Sequence, residues 1–375
     1  MLYLDNAATS RFKPQSVIDC INYDLRHSAN SGRSGHDDCI SAGLKIENCR
    51  RYIKEQLGAD DNYELIFTKN CTEALNLAIF GSIQDGESVF TTTNEHNSVL
   101  RPLFELERRG VIRLTVLDTR GKAVNTDELR LRAAGCDVLV LGGACNVTGA
   151  TLDLQEVGKI AEEIGARLIV DGAQSVPMLN TDIAASHIDM LACAGHKGLH
   201  GVQGTGFLIV NKNTPLRPLL YGGTGTYSLS LTQPQQMPDG YEAGTLFAGG
   251  IAALHAGAKW SFEHIEGTRK SIAQLTKTVL YNLKSLGCTL YTTEYATGVV
   301  AFNCKDADST YIAEQLNSYN IAVRSGLHCA PLVHKSLGTE NQGAVRISLG
   351  VETTAKDIAY FSNVMEKIMR DIDNN

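Results

Sequence analysis

Lys197 stands in the stretch Asp189-Met-Leu-Ala-Cys-Ala-Gly-His-Lys-Gly-Leu-His-Gly-Val-Gln-Gly-Thr-Gly206. Residues 190–193 read as a short buried strand and residues 207–210 as the next, with a glycine-rich turn between them. A lysine at the mouth of a sheet is a poor core filler. Partial burial lowers the pKa of an amine and makes it a nucleophile, and its typical covalent partner is an aldehyde. The aldehyde cofactor that uses a lysine is pyridoxal phosphate (PLP), usually with an acid paired to its pyridinium nitrogen. Asp171 is such an acid, at the end of the apolar run Leu168-Ile-Val-Asp171. Taken alone, Lys197 is better read as a surface lysine beside a turn. Gly201, Gly204 and Gly206 have dinucleotide-loop spacing, but they precede a strand instead of opening a helix, the wrong context for a nucleotide fingerprint.

Cys329 is the second focus, in a loop with Arg324 and His328. Positive charge beside a thiol favours the reactive thiolate. The alternative is a buried structural cysteine, which is the reading for most of the other nine. The cysteines lie at 20, 39, 49, 71, 136, 145, 193, 288, 304 and 329, with no CxxC pair. That spacing fits neither a secreted disulfide scaffold nor a zinc site, so a reducing cytoplasm and no metal are expected. A third candidate is Lys69-Asn-Cys-Thr-Glu73, between a strand at 63–68 and a helical run at 74–80. Such a helix start binds phosphate well, and it is equally a plain N-cap by Thr72 or Asn70. The loop 27–36 holds Asn30, Arg33 and His36, either as functional groups or as a solvated connection.

Strands at 63–68, 88–93, 113–117, 136–141 and 168–171 alternate with helical patterns, such as 154–164. Polar residues cluster just after the strands. The pattern predicts a doubly wound, mostly parallel α/β sheet with its site at the carboxyl ends. Beyond Val210 the alternation breaks. Helices over 250–266 and 272–286, strands over 290–293, 298–303, 321–324 and 344–349, and a closing helix over 354–370 suggest a smaller α+β domain. The expected division is a large domain at 15–250, a small one at 251–375, and an N-terminal segment 1–14 packing near the site.

The bulk numbers exclude some partners. With 375 residues, 43% hydrophobic and 20% charged, the chain is an ordinary globular one. A net charge of -7 without a basic run argues against nucleic acid or an anionic membrane as the main partner. No apolar stretch approaches the roughly 18 residues a membrane helix needs, and no export signal is visible.

Six motifs in order carry a resemblance: Asp5-Asn-Ala-Ala, Glu95-His96-Asn, Asp171-Gly-Ala-Gln174-Ser, Gly195-His196-Lys197, Glu242-Ala-Gly-Thr245 and Arg324-Ser-Gly-Leu-His-Cys329-Ala. From about residue 2 to 351 the chain resembles the class V aminotransferase superfamily. Within it, the chain resembles the cysteine desulfurases and selenocysteine lyases, in the branch with a short Arg-(Ser/Thr)-Gly-x-His-Cys-Ala loop. The resemblance implies a homodimeric, PLP-dependent enzyme of the aspartate-aminotransferase-like fold type I. Lys197 would hold the cofactor covalently and shuttle the Cα proton, and Asp171 would keep the pyridinium nitrogen protonated. His96 would face the ring as a possible acid–base group, Gln174 its phenolic oxygen, and Asn146 would lie nearby. Cys71, Thr72 and His196 would hold the phosphate, with Thr245 reaching in from the other subunit. Arg346 would clamp the substrate carboxylate, with Arg324, Asn6 and Ala7 around the substrate. Cys329 would take sulfur from L-cysteine as a persulfide, release alanine and pass the sulfur to an acceptor protein. L-selenocysteine is the alternative substrate, and another class V aminotransferase or lyase the alternative enzyme. A non-catalytic scaffold would not need Lys197, Asp171, His96 and Arg346 together. Two departures from the family pattern stand out: Ala194 where a hydroxyl is common, and Cys71 where Thr or Ala is common.

Overall fold

A computed structural model describes residues 1–31, 35–305 and 307–374. Arg33, one of the loop candidates, lies outside them. The strands are β1 (Leu2–Tyr3), β2 (Tyr63–Thr68), β3 (Ser88–Thr92), β4 (Arg113–Leu117), β5 (Val138–Gly142), β6 (Arg167–Asp171), β7 (Met190–Ala194), β8 (Gly206–Asn211), β9 (Thr289–Leu290), β10 (Val299–Asn303), β11 (Ile321–Ala322) and β12 (Val345–Ser348). The helices are α1 (Gln15–His27), α2 (Asp37–Gln56), α3 (Cys71–Ser82), α4 (Asn97–Arg108), α5 (Thr126–Arg132), α6 (Leu154–Ile164), α7 (Ala248–Glu263), α8 (Ile265–Ser285), α9 (Ser309–Ser318), α10 (Pro331–Leu337) and α11 (Ala355–Asp373).

Seven strands form the large sheet in the order β2-β8-β7-β6-β5-β3-β4. Only β8 runs against its neighbours, and β3 to β7 pair in parallel. Runs of apolar residues in β5, β6 and β7 put the sheet's two faces into two different cores. Leu139, Leu141, Leu168, Val170, Leu191 and Cys193 point to one. Val138, Val140, Ile169, Met190, Ala192 and Ala194 point to the other. A near-continuous apolar run is what a strand covered on both faces requires. Because β8 is antiparallel, Gly206 sits beside both Ala194 and Thr68. The carboxyl ends of β2, β3, β5, β6 and β7 therefore share one edge of the sheet.

A second sheet, β12-β10-β9, packs with α8, α9 and α11 around its own core. The N-terminal segment joins this part of the chain, since β1 pairs with β11 and Asp5 bridges to Ser348. The two helices expected over 250–266 and 272–286 are present, with the break between them at His264 instead of after 266. α7 ends at Glu263 and α8 starts at Ile265, two residues later. α7 sends Ile251, Leu254 and Ala258 into the large core, whereas α8 sends Ile272, Leu275 and Val279 into the small one. Helices α4, α5 and α10 are not among the expected elements. Among the described residues, no helix is long and apolar enough to cross a membrane.

Candidate active site

The site is assembled from loops that follow the strand ends. Asp171 is the last residue of β6, Lys197 follows β7, Asn146 follows β5, His96 follows β3, and Cys71 opens α3 after β2. These five line one cavity, together with Thr72, Gln174 and His196. A second cavity shares Gln174 and Lys197 and adds Asn6, Ala7 and Ser348. Thr245 lies in neither. It lines a separate depression with Phe67, Leu220 and Phe247. Its segment is held by Glu242, which receives two bonds from Arg50, at 2.9 and 3.1 Å, and one from the Phe67 N–H at 2.6 Å.

Burial is the largest influence on the Lys197 amine and lowers its pKa, while Asp171 pulls the other way. Arg346 and Arg324 reinforce the lowering. Asp171 accepts from the Ala173 N–H at 2.9 Å and from the Cys71 thiol at 3.4 Å. Burial, then the nearby Asp171 charge, raise the Cys71 thiol, so it stays protonated and works as a weak donor. Asn70, not Thr72, caps α3, its side chain accepting from the Glu73 N–H at 2.9 Å. Thr72 is thereby free to pair with Ser98 at 2.8 Å, and Ser98 in turn meets His96 Nδ1 at 2.9 Å. His96 caps α4, and its Nδ1 accepts from the Ser98 N–H at 3.1 Å. In the neutral ring that leaves the proton on Nε2. Burial lowers the His96 pKa, against an opposing pull from Asp171.

The N-terminal segment closes one wall. Gln174 donates to the Ala7 carbonyl at 2.9 Å, and Ala7 N–H donates to Ser348 Oγ at 2.8 Å. Asn6 donates to the Ser348 carbonyl at 3.1 Å. His196 Nδ1 meets Thr9 at 3.0 Å, and burial brings the His196 pKa down to about 4.

Arg346, 1% exposed on β12, donates to Asp5 at 2.8 Å and to the Asn146 carbonyl at 3.0 Å. Its Nε, and Asn146 Oδ1, are buried without a partner among the described residues. Asn146 Nδ2 donates to the His328 carbonyl at 2.7 Å. Cys329 is exposed, and its carbonyl accepts from the Asn97 N–H at 2.7 Å. That bond ties the cysteine loop to the residue after His96. Arg324 Nη2 lies 3.9 Å from the Cys329 sulfur. His328 and Cys329 both have positive φ, 49° and 58°, which costs non-glycine residues energy and often marks functional loops.

Two groups escape a reading by residue type. Glu95 is 2% exposed, accepts from Thr92 at 2.7 Å, and burial pushes its pKa up to about 8. Its place beside His96 is the only signal in the sequence. Asp5, the first residue of one of the six motifs, is the ion-pair partner of Arg346, and nothing local gives it that partner, because the two lie at opposite ends of the chain.

An acid, a lysine and an imidazole at the carboxyl edge of such a sheet define an α/β enzyme of the lysine–aldehyde type. The sequence profile of the family Aminotransferase class-V matches residues 2–361, and the chain belongs to this family. Enzymes of the family work with PLP. A probable cysteine desulfurase of Pyrococcus abyssi is 32% identical, over 99% of this chain and 95% of the relative. One of Methanothermobacter thermautotrophicus is 30% identical, over 98% and 94%. The apo structure of a cysteine desulfurase from Thermococcus onnurineus superposes with a TM-score of 0.93 at 30% identity, over 99% of this chain and 95% of that one. These relatives and the aspartate-aminotransferase-like fold type I expected from the sequence agree.

Proposed function

We propose that this chain is a PLP-dependent cysteine desulfurase that releases L-alanine from L-cysteine and takes the sulfur onto Cys329. The observation that carries the reading is the bond from Asn97 N–H to the Cys329 carbonyl, which ties the backbone of the exposed cysteine to the residue that follows His96. The groups present fit the cofactor. Asp171 suits a pyridinium nitrogen, the first turn of α3 with Thr72 and His196 suits a phosphate, and Asn146 Oδ1 is a buried acceptor in want of a partner. His96 and Gln174 would flank the ring, and Cys71 would support Asp171. When bound, PLP supplies the electron sink that loosens bonds at the substrate carbons.

The chain's own residues do the rest. The Lys197 amine, whose pKa burial lowers, anchors the cofactor and moves the proton at the substrate Cα. Arg346 receives the substrate carboxylate, a two-pronged pairing in which the substrate replaces Asp5 or uses the open Nε. Arg324 puts positive charge beside the reacting sulfur, and Asn6 and Ala7 close the substrate's side. Cys329 sulfur bonds to the substrate sulfur, the Cβ–S bond breaks, and its electron pair stays with the three-carbon skeleton, which is protonated to alanine. The enzyme keeps a persulfide that passes to an acceptor protein. Ala194 offers no hydroxyl, so the phosphate relies on α3 and His196. A second copy would bring its own Thr245 to the phosphate, covering a face where Leu219, Leu220, Tyr221 and Phe247 are exposed.

The test is alanine formation from L-cysteine by PLP-loaded wild type and Cys329→Ala. We expect a loss of at least about 100-fold in the variant. Full activity in Cys329→Ala sinks the proposal. Turnover of L-selenocysteine but not L-cysteine by wild type would reassign the substrate to selenium.

A further inference from the structure

Cys288 and Cys304 meet at the edge of the small sheet, and neither is among the site residues described above. Their sulfurs are 3.6 Å apart, and both are free thiols. β9 runs antiparallel to β10, with Leu290 opposite Phe302 and Thr289 opposite Asn303. One more step in that register sets Cys288 opposite Cys304. Tyr291 N–H donates to the Ala301 carbonyl at 2.9 Å, so that pair is hydrogen-bonded. Alternation along the ladder then makes Cys288–Cys304 a non-hydrogen-bonded pair, the kind with Cα atoms about 4.5 Å apart. Disulfides span Cα separations from about 4.4 Å upward. The backbone therefore already stands at bridging distance, and only side-chain rotation is needed to close the gap between the sulfurs.

The two thiols are not equivalent. Cys288 is 8% exposed and sits just before an edge strand of two residues, whereas Cys304 is fully buried. Either sulfur can donate to the other across this contact. Cys288, the more exposed of the two, is the one an oxidant reaches first.

We infer that Cys288 and Cys304 form an oxidisable dithiol, closed to a disulfide by hydrogen peroxide. The Cys288 sulfur attacks one peroxide oxygen, the O–O bond breaks, and a sulfenic acid and one water result. The Cys304 sulfur then attacks the Cys288 sulfur, the S–O bond breaks, and a second water leaves with the Cys304 proton. Two electrons pass from the two thiols to the peroxide. The new bond would staple β9, and with it the end of α8, to β10.

Trypsin supplies a direct assay, because Lys284 and Lys305 bracket a peptide that contains these two cysteines and no others. PLP-loaded full-length protein is treated with hydrogen peroxide, then denatured, alkylated with iodoacetamide and digested. The expected result is peptide 285–305 lighter by two hydrogens and unalkylated, returning to the doubly alkylated form after dithiothreitol. In Cys304→Ser the sulfenic acid has no resolving thiol, so dimedone should label Cys288. The inference is overturned if both cysteines in wild type remain alkylatable at a peroxide dose that oxidises Cys329. It is equally overturned if either is found bridged to a different cysteine. The wild-type measurement stands whether or not Cys304→Ser folds.

Discussion

At the scale of single residues, the site depends on charges held where water cannot screen them. Arg346 is the clearest case, since it is almost wholly buried and already faces one carboxylate, Asp5. Its fork geometry is what a second carboxylate would use. Arg346→Lys keeps the charge and loses the fork, so KM for cysteine should rise about tenfold or more, with a smaller change in kcat. Steady-state kinetics on PLP-loaded protein decide this, and an unchanged KM would place the substrate carboxylate elsewhere. Lys197 and Asp171 were within reach of sequence reading because each follows an apolar strand. The burial of Glu95 and the pairing of Asp5 with Arg346 were not, because both arise from packing across the fold.

At the scale of elements, the first turn of α3 links sheet to site. Asn70 accepts from Glu73 N–H and begins the helix that presents Cys71 and Thr72. The start of β8 packs against it so closely that a Cβ on Gly206 would come within 2.6 Å of the Asn70 backbone. Asn70→Ala should cost about 1 kcal/mol of stability, the usual worth of an N-cap, and weaken PLP retention at the same time. Thermal melts with and without added PLP read both effects. A lower melting temperature with unchanged cofactor affinity would mean that this helix end does not hold the phosphate. Helix periodicity located α6 residue for residue, from Leu154 to Ile164. The same periodicity ran α7 into the next turn, because the break at His264 involves neither proline nor glycine.

At the scale of the whole molecule, buried imidazoles make stability sensitive to acid. Burial lowers the pKa of His200 and His334 to about 4 and that of His328 to about 2, with His196 also near 4. In the unfolded chain each takes up a proton near pH 6.5. Between these values the unfolded state binds more protons, so stability is complete above about pH 6.5 and falls as pH drops towards 4. A melting temperature that stays level from pH 7 to pH 4.5 would contradict this. His328 connects the effect to chemistry, because its ring reaches the Ala344 carbonyl at 3.0 Å and supports the Cys329 loop. Because His328 stays neutral in the folded protein down to about pH 2, its support of the Cys329 loop should be lost with unfolding and not before it.

The mostly parallel α/β character of the large sheet was legible in the sequence, whereas the strand order β2-β8-β7-β6-β5-β3-β4 was not. Runs such as Leu168–Val170 and Met190–Ala194 are apolar at every position, which demands cover on both faces and leaves polar groups such as Asp171 at the strand ends. The motifs from Asp5 to Cys329 added the family. Only the tertiary structure decided how the two ends of the chain meet the middle. The bonds Asn97 N–H to Cys329, Asn146 to His328 and Arg346 to Asp5 join segments far apart in sequence. So does the register that sets Cys288 against Cys304. Local pattern reports which face of an element is apolar. It carries no record of which distant backbone group a loop will meet, because that is settled by the packing of all the elements together.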